Sequence, residues 1–230
     1  MKSEDTLLAA IAGFVDTLSF VALYGLFTAH VTGNFVLIGA GAGGYGQGIL
    51  LKLAVFPAFV AGVAGSSLLV RVLPRHHARH GARLLHAAQA VLMLGFCVAG
   101  VAASPVAAPD DLAAVVAGML GAFAMGVQNA HPRLIARPGV PNTVMTGNVT
   151  QAILDGVDML SAGASGAVRH AARARFAKMV PAIVAFALGA AAGALGWRHV
   201  GFWALLAPAL ALATLAFTTG DAPSPDSSHA

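Results

Sequence analysis

The chain has 230 residues, 58% of them hydrophobic and only 10% charged. A soluble domain carries about 25% charged residues, so this composition excludes a water-covered globule and requires lipid as the main solvent. The net charge of +4 lies beside apolar segments, which points to the charge bias of membrane loops and not to nucleic acid.

The first residues, Met1-Lys2-Ser3-Glu4-Asp5, make a poor signal-peptide start, because one lysine is followed by two acids. The apolar run behind them is therefore expected to stay as a membrane span. A helix crosses the bilayer in about 20 apolar residues. On that measure six spans are predicted: Thr6–Ala29, Leu53–Val70, Leu84–Ala103, Leu112–Ala130, Met179–Trp197 and Val200–Phe217. All are rich in Ala, Gly, Leu and Val. Small residues at helical spacing, such as Ala185, Gly189 and Gly193, let helix backbones approach in lipid, and such faces also suit a homo-oligomer. Residues 1–217 then form one all-α transmembrane bundle. Residues 218–230 read as a disordered tail of Pro, Ser and Asp. Cys97 lies inside an apolar run, so neither a disulfide framework nor a thiolate metal site is expected.

The cations orient this bundle. The segments Arg71–His86 and Pro132–Lys178 hold ten of the thirteen Lys and Arg residues, and the link Ser104–Asp111 holds none. A cytoplasmic N-terminus puts both basic segments inside, as the positive-inside rule requires. His76, His77, His80 and His86 stand among the arginines of the first basic segment. They read as part of a solvated loop attracted to anionic lipid, and no metal ion or other cofactor is expected.

The chain also repeats itself. Gly13-Phe-Val-Asp16, Thr32-Gly33-Asn34 and Pro57–Gly65 return, in the same order, as Gly126-Val-Gln-Asn129, Thr146-Gly147-Asn148 and Pro181–Gly189. The two proline blocks share five of nine positions. Repeat 1 covers 6–103 and repeat 2 covers 112–217. With three spans each, they enter the membrane from opposite sides, a 3+3 inverted repeat of the kind common among secondary transporters.

Polar residues at membrane depth mark the candidate substrate or ion site. Asp16 is an acid near mid-bilayer, and an intramembrane acid is a functional hypothesis by default. Gln128 and Asn129 stand at the matching place in repeat 2. Thr32, Gly33, Asn34 and Thr146, Gly147, Asn148 are expected to cap and open half-helices aimed inward, with their N–H dipoles toward a polar ligand. His30 and His131 flank the two copies as candidate proton carriers. Asp155 and Asp158, three apart, read as a solvated or Arg-paired face. No G-x-S-x-G, H-E-x-x-H or P-loop motif occurs, so an enzyme is not expected.

The blocks Gly13–Asp16, Phe27–Asn34, Gly126–Ala130 and Thr143–Asn148 resemble those of the YoaK-type family of small bacterial membrane proteins of unknown function. The resemblance runs from about Leu7 to Phe217. It implies a six-helix protein of the bacterial inner membrane and no established substrate. One departure stands at His30, where the family pattern leads to a polar amide. Two functions fit: a small secondary transporter, proton-coupled through Asp16, or a scaffold or accessory subunit whose polar residues only lock helices together.

Overall fold

The computed structural model describes residues 2–72, 78–135 and 144–219. They form eight α-helices: α1 (Lys2–Ala22), α2 (Gly33–Ala42), α3 (Ile49–Val72), α4 (Ala78–Ala103), α5 (Leu112–Leu134), α6 (Met145–Leu160), α7 (Gly166–Val200) and α8 (Leu206–Thr218). A short 3₁₀ helix, Gly201–Leu205, joins α7 to α8. Five described stretches are long and apolar enough to cross a membrane, the last being the 53 residues Gly166–Thr218. That last stretch is not straight, because Gly201 breaks it at φ +59°. The chain is thus an all-helical membrane bundle. The expected tail beyond Thr219 and the loop residues His76 and His77 lie outside the described residues.

Helix pairing follows the small residues. α1 lies along α7, and α3 lies along α5. A Cβ on Gly189 would collide with the carbonyl oxygen of Ala10, and one on Gly13 with that of Phe186. Across the other pair, a Cβ on Gly126 would stand 2.5 Å from the Phe59 carbonyl oxygen. Such contacts need hydrogen in place of a side chain, since lipid offers no hydrophobic force to hold looser helices together. α4 closes the bundle against α5 and α8, with Phe96 and Phe202 buried between them.

Two predicted boundaries change. The apolar run Thr6–Ala29 is not one helix, because α1 ends at Ala22 and the chain turns back. Tyr24 (φ +51°) and Gly25 (φ +78°) make that reversal. The buried Nζ of Lys52 then clamps it, donating to the carbonyls of Tyr24 (2.8 Å) and Gln47 (2.6 Å). The physical reason lies in Asp16. A mid-helix carboxylate finds no free N–H on its own helix, so non-helical backbone must bring donors to it. His86 is the second correction. α4 reaches down past the predicted start at Leu84, and its phase turns His86 inward, where the residue is 1% exposed and not part of a solvated loop.

Candidate functional site

The acid at position 16 organises the first half of the site. Asp16 is buried, and residues 26–31 fold back from the end of α1 to meet it. Its Oδ1 accepts the backbone N–H groups of Thr28 (2.8 Å) and Ala29 (2.6 Å). Its Oδ2 accepts the N–H of His30 (3.1 Å) and contacts the His30 Nδ1 at 2.6 Å. Ser19, one turn along α1, ties Leu26 O and the Thr28 hydroxyl into the same knot. Non-helical backbone at this depth is tolerated only where its polar groups are satisfied by protein, and these bonds satisfy them.

Asn34 is the second anchor. Its Oδ1 accepts the Phe27 N–H at 3.0 Å, and its Nδ2 donates to the Phe27 carbonyl at 2.7 Å. Gly33 is fitted to the same residue, since a Cβ there would stand 3.0 Å from the Phe27 ring. Asn34 therefore pins the returning loop and does not cap a helix. Thr32 is the N-cap residue of α2 but makes no side-chain cap bond, and Val144 holds that place on α6, also without one. The expectation of side-chain caps is thus not met, although each triplet does open a short helix. At 1.5 Å per residue α2 and α6 are about 15 and 24 Å long, too short for the roughly 30 Å hydrocarbon core.

The two triplets meet. A cavity of about 330 Å³ is lined by His30, Thr32, Phe59, Asn129, Met145 and Thr146, among others. It receives the N-terminal ends of both short helices and one residue each from α3 and α5. Of the predicted residues it thus gathers His30, Thr32, Asn129 and Thr146. Asp16 is one step behind the wall, in contact with His30, whose side chain is 30% exposed. The Nδ1 contact with Asp16 fixes the orientation of the imidazole ring. His30 also stands edge-on to Phe186 of α7, with ring centroids 5.3 Å apart.

The other predicted residues lie elsewhere or face away. Asn34 and Asn148 are buried behind their helix starts, and Asn148 Nδ2 contacts the Met145 sulfur at 3.8 Å. Gly147 is exposed. Gln128 is buried against α1 and α4, donating to the Leu8 carbonyl at 2.8 Å and accepting from Gln89 at 2.7 Å. His131 stands beside it at that end of the bundle and stacks on His86 with ring centroids 4.4 Å apart. The two histidines named as proton carriers thus belong to different sites.

Asp155 resolves as an Arg-paired face. Its Oδ1 accepts from Arg175 Nε (3.0 Å) and from Gln151 (3.1 Å). The Arg175 hydrogen bonds hold its carboxyl below the usual carboxylate range, against the opposing effect of burial. Sequence reasoning missed Thr28, Glu4 and Gln89, and placed His86 in a solvated loop. Thr28 was legible as a polar residue inside the Phe27–Asn34 block, but the others sit near predicted span ends, where polarity is ordinary.

Apolar helices of spanning length around a buried polar core define a helical membrane protein. A family profile described as "Protein of unknown function (DUF1275)" matches residues 6–218, and the chain belongs to that family. No curated protein and no solved structure matches it.

Proposed function

We propose that this protein is a small secondary transporter that takes a small polar solute or ion into the cavity between the two triplets. The observation that carries this reading is the cavity itself, where His30, Thr32, Asn129 and Thr146 converge from the two repeats. Sites at the meeting of repeats, flanked by short-helix N-termini, are the plan of inverted-repeat transporters. The pairing of α1 with α7 and of α3 with α5 is what a two-fold between the halves would produce. It supports six crossings, with the 3₁₀ helix and α8 as the last, together about 30 Å long. In this reading the protein sits in a bacterial inner membrane with its N-terminus inside, and His30, oriented by Asp16, carries the coupled proton. No catalytic role is assigned.

The test is solute-driven proton movement in proteoliposomes carrying an internal pH dye, across a panel of small polar solutes. At least one solute should move protons with the wild type. His30→Gln should uncouple that movement, and Thr32→Val with Thr146→Val should weaken solute uptake. Fluxes that both variants leave unchanged would rule the reading out.

The scaffold reading draws on Asp16, whose oxygens are already bonded to protein groups. Such a lock needs no substrate. It predicts that no solute moves protons and that His30→Gln alters stability alone.

A further inference from the structure

We propose that Glu4, His86 and His131 form a binding site for a transition-metal dication of the zinc type. The three side chains come from three helices: Glu4 from the first turn of α1, His86 from α4 and His131 from the last turn of α5. All are buried, and one ligand atom of each lies within 4.8 Å of the others. Glu4 Oε1 stands 3.1 Å from His86 Nε2 and 4.0 Å from His131 Nε2.

A simple ion pair accounts for only part of this. The 4.0 Å separation exceeds hydrogen-bond reach, yet the second imidazole is brought to the same carboxylate oxygen. Two ligands each about 2.0–2.2 Å from one zinc ion stand roughly 3–4 Å apart, and both distances fall in that range. Two imidazoles and one carboxylate suit zinc, cobalt or nickel and leave a coordination position open.

The next turn supports the same placement. Gln89 and Gln128, three residues from His86 and His131, bond to each other and to the Leu8 carbonyl. This second layer joins the same three helices and fixes their relative rotation. The cluster also lies at the start of α1 and the end of α5. A bound dication would tie α1 and α4 of the first half to α5 of the second.

Full-length protein, purified in detergent and stripped with a chelator, is titrated with Co²⁺ and then Zn²⁺. One Co²⁺ per chain should bind, with the visible absorption of a low-coordinate cobalt site, and Zn²⁺ should displace it and raise Tm. Glu4→Gln and His131→Gln should each weaken Zn²⁺ binding at least tenfold and abolish the cobalt band. Replacing His76, His77 and His80 together by Gln should change neither. The proposal is overturned if the wild type binds no stoichiometric metal, if binding survives both cluster variants, or if the triple histidine variant loses it. Glu4→Gln preserves side-chain size, so it keeps the result readable should His131→Gln fail to fold. Because the cavity at His30 is untouched, metal binding and solute transport can fail independently.

Discussion

The two Thr-Gly-Asn segments open short helices beside one cavity, yet they are held by different means. The first is tied to the bundle core: Asp16 gathers three backbone N–H groups of the returning loop, and Asn34 brackets Phe27. Its helix, α2, rests on α3, with Phe35 stacked on Phe56 at 4.3 Å. The second has an amide, Asn129, where the first has its acid, and its helix α6 is fastened to α7 by the Asp155–Arg175 pair. The lesson is that a repeat can keep where a helix begins while only one copy carries a buried acid at the matched position. An acid in both copies would place two buried charges around a single cavity, and each would need its own set of donors.

The difference can be broken most severely at Asp16. Replacing it by Ala leaves three N–H groups at membrane depth without their acceptor, each worth about 1–3 kcal/mol. The expected loss reaches the exceptional range above about 4–5 kcal/mol, read as collapse of monodisperse yield and of Tm in detergent. Asp16→Asn keeps one acceptor oxygen but turns a donor toward the His30 N–H, so it too should destabilise, and His30→Gln is the cleaner probe of proton coupling.

Gly189→Val and Gly126→Val test what the halves share. Each puts a side chain onto a carbonyl of the facing helix, and overpacking of this kind costs about 1–3 kcal/mol or more. Similar losses are expected from both in thermal unfolding. A large loss from one and none from the other would show that the halves are not packed alike.

Asn34→Ala should cost about 1–3 kcal/mol, because it strands both backbone groups of Phe27. It should also loosen the loop, detected as faster amide exchange over residues 26–31. Unchanged exchange there would mean that Asp16 alone holds the loop.

The smallest effect concerns α6. Its carboxyl at Asp155 titrates below the usual range, so the pair's contribution is fully present above the unfolded value of about 3.9 and fades as pH falls through the lower folded value. The Tm difference between wild type and Asp155→Asn should therefore be constant from neutral pH to about 5 and shrink below 4. A difference that does not change with pH would show that the pairing is not electrostatic.

Much of this was written in the composition and order of the residues. Apolar length and low charge established a helical membrane bundle, because lipid leaves few other backbone solutions. The repeated blocks located the two short helices and pointed to Asp16, His30, Asn129 and both threonines. Sequence alone could not show that the run Thr6–Ala29 reverses at Tyr24. Hydropathy measures transfer to lipid and is blind to a carboxylate that recruits its donors from beyond the helix end. Nor could it show that Asn34 serves Phe27 and not a helix cap, since both uses need the same side chain. The tertiary structure alone decided that Gln128 and His131 leave the cavity and join Glu4 and His86. These residues are up to 127 positions apart in the chain, and only the crossing of α1, α4 and α5, set by side-chain packing, makes them neighbours.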